Sequence, residues 1–259
     1  MKLNFQFFQS VILALLLTSV NSQSIITDRP DQTESAITVE PGILQIESGI
    51  INQVNGDGVN RFRNLIIPTN LIRYGISNRV ELRMVFELDG KKTTTNPSYQ
   101  FALGNLELGA KIGLNKHDDS KINIGLLSHL KLPKSDGEKF FKNLTFINRI
   151  SLEYQISEIA SLGYNLGYNY FINSLGNFIY TIAFGYAMTE RISLYLEPYG
   201  NIFINDIPLS NFDFGVTYLL KSNLQLDMSF GYGLNNSMNY QSIGISWKQK
   251  KTNNIQYFQ

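Results

Sequence analysis

The chain has 259 residues, 22 basic against 21 acidic side chains, a formal net charge of +1, no cysteine, and 14 Tyr and 17 Phe against one Trp. Near-neutral charge gives no reason to expect a nucleic-acid partner, and the lack of Cys excludes disulfides and thiolate metal sites. The length suits one large all-β domain, and no cofactor is expected.

Residues 1–22 set Lys2 before an apolar run, Val11 to Leu17, that is too short to span a bilayer, and end in Val20-Asn21-Ser22, residues a signal peptidase accepts. This predicts a signal peptide over 1–22, cleavage before Gln23, and export. Residues 23–42 are polar, alternate in charge and carry Pro30 and Pro41, which discourage regular structure. They read as an extended arm. A barrel domain is expected over 43–248 and a C-terminal tail over 249–259.

From Ile43 onward the sequence alternates apolar and polar residues through about twelve segments, many long enough for the ~9 to 11 residues of a tilted membrane strand. Pro68 falls inside the second segment, where its missing N–H marks a bulge or kink. The charged residues of these segments as far as Leu234 are all odd-numbered. Even positions, among them Phe62, Ile66, Tyr74, Phe86, Tyr154 and Leu194, are mostly apolar. A soluble sandwich also alternates, but a face cleared of charge on long strands with Tyr and Phe near their ends points to lipid.

One pattern recurs four times: Tyr74 to Leu82, Tyr154 to Leu162, Tyr186 to Leu194 and Tyr218 to Leu226. Each reads as a hairpin in which the Tyr faces the Leu across a tight turn. Longer connections are expected at 89–100, 133–142, 172–177, 202–210 and 235–239. Outer-membrane barrels place short turns in the periplasm and long loops outside, so the expected fold is an antiparallel transmembrane β-barrel of even strand number with an N-terminal periplasmic arm.

The motif Thr27-Asp28-Arg29-Pro30-Asp31 with Thr33-Glu34-Ser35, then Pro41-Gly42 with Gln45, Glu47 and Gly49, resembles the transporter family named for the meta-pathway of phenol degradation, a group of outer-membrane barrels. Leu71-Ile72-Arg73-Tyr74-Gly75-Ile76 followed by Glu81-Leu82-Arg83 matches its second block, and Leu130 to Pro133 and Leu226-Asp227 fit more loosely. The resemblance implies an exported barrel that moves small organic molecules. The family's name reflects genetic context, and no catalytic motif carries over.

Reflecting the first hairpin about Asn78 sets Arg73 opposite Arg83 and Gly75 opposite Glu81, all facing inward. Opposed arginines need counter-charges. The expected lumen cluster is therefore Arg61, Arg63, Arg73, Glu81, Arg83, Glu87, Glu47 and Glu107, either as a structural ion network or as the wall on which Asp28, Arg29, Asp31 and Glu34 of the arm dock as a plug. Odd-numbered glycines, Gly167 and Gly215 among them, either curve the wall or leave space for solute. Chemistry is poorly supported: Ser128 and His129 fall on opposite faces, and His117 with Asp118 and Asp119 reads as a solvated turn.

The expected function is passive transport of small solutes, hydrophobic or aromatic ones included. The alternatives are a non-conducting structural or adhesion barrel with partner-binding loops and, third, a membrane-embedded hydrolase. The expected partners are the lipid bilayer, the outer-membrane assembly machinery, for which Ser242 to Trp247 is a candidate signal, and the transported solutes.

Overall fold

Period-2 alternation carries the chain through twelve antiparallel strands that close on themselves in a computed structural model describing residues 24–115, 121–133 and 143–250. The strands are β1 (Leu44–Asn55), β2 (Phe62–Ser77), β3 (Val80–Thr93), β4 (Gln100–Gly113), β5 (Ile122–Lys131), β6 (Thr145–Ser157), β7 (Ala160–Phe171), β8 (Ser174–Ala187), β9 (Ile192–Phe203), β10 (Leu209–Lys221), β11 (Leu224–Gly233) and β12 (Met238–Lys248). Each pairs with its chain neighbours, and β1 pairs with β12 from Gln45↔Lys248 to Asn55↔Met238. Closure leaves no free edge, which a wall inside hydrocarbon requires.

The burial pattern is that of a membrane barrel. Glu47, Glu81, Lys111, Asn165, Glu197 and Asp213 are fully buried, whereas Ile76 and Phe178 are about half exposed, at 52% and 51%. Apolar side chains ring the outside of every strand, far more than a water-facing surface tolerates. This is a transmembrane β-barrel with lipid on its outer face. The four hairpin repeats form as read: Tyr74↔Leu82, Tyr154↔Leu162, Tyr186↔Leu194 and Tyr218↔Leu226 are cross-strand partners. They set a rim of aromatic and apolar side chains beside the tight turns.

Two departures from strict alternation matter. At Ile67 and Pro68 two residues of β2 oppose one on each neighbour, since Thr69 pairs with Gly49 and Glu87 while Ile66 pairs with Ile51 and Asp89. The bulge expected at Pro68 is present, and its extra residue inverts the phase of everything before it. Phe62 and Ile66 therefore turn inward and Arg63 turns out beside Val54 and Lys92. A second bulge at Gly104 and Asn105 does the same to the start of β4. On β12 the inward residues are even-numbered: Ser242 and Ser246 are buried while Ile243, Ile245 and Trp247 are exposed.

The connection expected over 172–177 is only Ile172 and Asn173, because β7 and β8 extend their ladder to Phe171↔Ser174. Residues 1–23, 116–120, 134–142 and 251–259 carry the signal peptide, His117, Asp118, Asp119 and most of the tail. Those readings lie outside the described residues.

Candidate functional site

The arm loops into the barrel from the end that carries the tight turns and returns to it. Ile25 N–H donates to the carbonyl of Ser222, in the β10–β11 turn, and Gly42 N–H donates to that of Gly75, near the β2–β3 turn. Between those anchors the proline-bearing backbone forms no ladder, so its N–H groups need other acceptors. Inward carboxylates and an amide supply them. Glu47 Oε2 accepts from Asp28 and Arg29 N–H at 2.9 and 3.0 Å. Glu197 accepts from Gln32 at 2.6 Å, Asn165 Oδ1 from Glu34 at 2.7 Å, and Glu81 from Val39 at 2.7 Å.

Side chains complete the seat. Asp28 reaches three cations: Arg83 at 2.6 Å, Lys111 at 3.0 Å and Arg73 at 3.2 Å. Glu34 meets Arg83 at 2.5 Å. Within the wall, Glu81 pairs with Arg73 at 2.9 Å and Arg83 at 2.8 Å, and Glu47 with Arg73 at 3.1 Å. The repulsion between Arg73 and Arg83, which are cross-strand partners, is thus answered from wall and arm together. Arg83 Nε donates to His129 Nε2 at 3.0 Å, which leaves His129 Nδ1 to donate to Glu107 at 2.9 Å. Higher in the bore, Arg29 forks onto Asp227 through Nε and Nη2 at 3.2 and 2.9 Å and donates to Ser242 and Thr69. Such bidentate pairing fixes orientation as well as charge.

Asp28 and Asp31 experience opposite fields. Burial pushes the Asp28 carboxyl upward, but Arg73, Lys111 and Arg83 outweigh it and hold the group well below the usual range. Asp31 is pushed well above that range by burial first, then by the carboxylates of Glu197 and Asp213.

Of the residues expected in the lumen cluster, Glu47, Arg73, Glu81 and Arg83 meet directly and Glu107 joins through His129. Glu87 stands apart, lining the cavity above the arm. Arg61 and Arg63 do not belong: Arg61 is exposed in the β1–β2 connection, and the Pro68 bulge turns Arg63 to the outer face. Lys111 belongs to the cluster though the sequence reading left it out; its signal was an inward position opposite Glu81. Glu197, Asp213 and Asp227, also inward and charged, were likewise passed over.

The inward glycines sort into two kinds. A Cβ on Gly75 would strike the Val39 and Glu40 carbonyls, and one on Gly125 the backbone of Ala36, so these mark the path of the arm. At Gly167 and Gly215 it would strike carbonyls of the wall itself, of Asn148 and Met228. At these two positions the missing side chain serves close approach of the wall's own backbone.

Two cavities lined by described residues flank the arm in the bore. The upper, of about 490 Å³, is lined by amides (Gln53, Asn55, Asn70, Asn211, Asn236) and by charged side chains, Arg29, Glu47, Arg83 and Glu87 among them, with Tyr199, Tyr240, Leu71 and Val85. The lower, of about 190 Å³, is lined by Ile26, Thr33, Glu153, Gly163, Gly185 and Tyr195. Asp31 and Glu34 line both, so the arm is the septum between them.

The model of the family described as "Putative MetA-pathway of phenol degradation" matches residues 27–247. The chain belongs to this family. Among solved structures, the COG4313 outer membrane channel from Pseudomonas putida F1 aligns with a TM-score of 0.65 at 13% identity, over 86% of this chain and 100% of that one. The NanC porin aligns at 0.54, 10% identity, 80% and 100% coverage, and the KdgM porin at 0.53, 11% identity, 78% and 98% coverage. At these identities the likeness is one of fold. No curated protein matches the chain. The match begins at Thr27, so the family pattern includes the arm that fills the bore.

Proposed function

We propose that this protein is a passive channel for small solutes across the outer membrane, stoppered by its own N-terminal arm. The observation that carries the reading is the septum: Asp31 and Glu34 face both cavities, and the arm is what separates them. Family membership and the printed descriptions of the structural neighbours, one an outer membrane channel and two porins, support the direction. Amides and charged groups interleaved with Tyr199, Tyr240, Leu71 and Val85 suit a small solute with a polar, hydrogen-bonding edge beside an apolar or aromatic body.

The wall is built to survive removal of the stopper. Without Asp28 and Glu34, Arg73 keeps Glu47 and Glu81, and Arg83 keeps Glu81. Water entering the bore screens what is left over at Arg83 and Lys111. Lodging the arm costs the conformational entropy of its ordered residues, which its hydrogen bonds and ion pairs offset. Only a few apolar side chains of the arm are buried with it, Ile25, Pro30, Ala36 and Val39, so most of what holds the stopper is polar and is exchanged for water when it leaves.

Deleting residues 24–40 and recording planar-bilayer conductance, with liposome swelling for solutes, tests the reading. A several-fold larger, steadier conductance and faster swelling are expected; conductance equal to that of the intact chain would sink it. The density of the ion network favours a second reading, a closed structural barrel that presents its loops to partners. In that case neither form conducts. No chemical step is part of either reading, since Ser128 bonds Asn148 on the outer face while His129 is held inside by Arg83 and Glu107. Insertion requires the outer-membrane assembly machinery, with Ser242 to Trp247 on the closing strand as its candidate signal.

A further inference from the structure

The first hairpin carries two cross-strand pairs of cations, and they differ in what surrounds them. Arg73↔Arg83 faces the bore and is met by Asp28, Glu34, Glu47 and Glu81. Arg63↔Lys92 faces outward, because the bulge inverts the start of β2 while β3 runs unbulged past it. Among the described residues no carboxylate pairs with Arg63, Lys92 or the exposed Arg61 beside them; Asp57, in the same connection, accepts from Ser237 instead. Like charges set directly opposite repel, so this pair calls for an anion from outside the chain.

Height decides which anion. Lys92 lies ten residues beyond Leu82 on β3, which at about 3.3 Å per residue and a tilt of about 40° is about 25 Å along the membrane normal, the height of the apolar band. Tyr74 and Leu82 mark the inner edge of that band, so Arg63 and Lys92 stand at its outer edge. Lys92 Nζ lies 4.6 Å from the ring centre of Tyr99, which packs on Phe101 at 6.0 Å, and Phe101 is 54% exposed. Cations immediately above an interfacial aromatic pair occupy the layer of lipid headgroups. A soluble anion would be held only against bulk water; a headgroup is already anchored beside the wall.

We propose that Arg63 and Lys92, flanked by Arg61, bind the phosphate of an anionic glycolipid in the outer leaflet. The site is independent of transport, and its failure would leave the channel reading untouched. The test uses the intact barrel in neutral detergent with bisphosphorylated lipid A as probe, followed by native mass spectrometry and thermal shift. Each basic residue near an anionic lipid surface contributes roughly fivefold in affinity, so Arg63→Gln should weaken binding roughly fivefold and Arg63→Gln with Lys92→Gln roughly 25-fold, and added salt should weaken the wild type. Double-variant binding within twofold of wild type would overturn the site. So would displacement of lipid A by inorganic phosphate at equal concentration, which would make the anion a soluble one. If the double variant does not assemble, wild-type binding of dephosphorylated lipid A decides: equal affinity overturns the proposal, and loss of binding supports it.

Discussion

Asp28 and Asp31 lie three residues apart on the arm, and the groups around them push their carboxyls in opposite directions, the first below the usual carboxylate range and the second above it. Arg73, Arg83 and Lys111 surround the first, while Glu197 and Asp213 crowd the second. The arm thus bridges a cationic wall on β2 to β4 and an anionic one on β9 and β10, and each half of the bore fixes one end of it.

Replacing Asp28 with Asn should therefore unseat the arm. The substitution keeps the shape but leaves Arg83 and Lys111 short of a partner in a buried site, and breaking a buried pair in this way costs about 3 to 5 kcal/mol. The barrel itself should assemble, because its ladder is untouched. Limited proteolysis should cut the arm of Asp28→Asn faster than that of the wild type, and single-channel records should show more frequent open events. An arm as protected as in the wild type would remove Asp28 from the centre of the seat.

Asp31 gives the seat a pH dependence of known sign. Its pKa is raised in the docked arm, so its contribution to docking is full below the ordinary carboxylate value of about 4 and is lost as pH rises through the raised value. Asp28, with a lowered pKa, contributes fully above about 4 and loses its contribution as pH falls through its depressed value. Docking should thus tighten from neutral pH down towards about 4 and loosen only in stronger acid. In Asp31→Asn, which mimics the protonated acid, the neutral-to-acid change should flatten, with docking at neutral pH as tight as wild type in mild acid. Arm protection against protease, measured across this range, checks it; an unchanged slope in Asp31→Asn would assign the dependence elsewhere.

Glycine substitutions should separate arm from wall. Gly75→Ala forces the Val39 and Glu40 carbonyls away and should loosen the base of the arm while leaving assembly intact. Gly167→Ala meets the Asn148 carbonyl at 2.5 Å, inside the ladder, and should lower the yield of folded barrel. Heat-modifiable migration reports assembly and conductance reports the arm. Equal behaviour of the two variants would erase the distinction.

Much of this was legible in the sequence because a membrane barrel writes its fold with period 2. The Tyr–Leu hairpins, the Arg73↔Arg83 opposition and the inward Glu81 follow from counting residues about Asn78. The docking of the arm could be suspected from Asp28 and Glu34, since opposed arginines need carboxylates. Its path could not, because it is set by contacts such as Gln32 with Glu197 and Arg29 with Asp227, which lie 165 and 198 residues apart. Arg61 falls outside the cluster because β2 starts only at Phe62, and Arg63 for a different reason: Pro68 announces a bulge, but whether it inserts one residue or bends the strand decides the phase beyond it.

That phase change can be measured directly, since the chain has no cysteine and single Cys variants report without interference. Leu65 should face lipid and Ile66 the bore, the reverse of what unbroken parity would give, while Ile72 on the far side of the bulge faces lipid. Spin labels at Leu65→Cys and Ile72→Cys should be accessible to oxygen, which partitions into hydrocarbon. A label at Ile66→Cys should respond to a water-soluble nickel complex if to either. Deleting Ile67 removes the extra residue and should exchange the behaviour of labels at 65 and 66, carrying Arg63 into the bore, with loss of stability as the ladder re-registers. Unaltered accessibilities in the deletion variant would mean that the bulge migrates along β2, and Pro68 would no longer be its anchor.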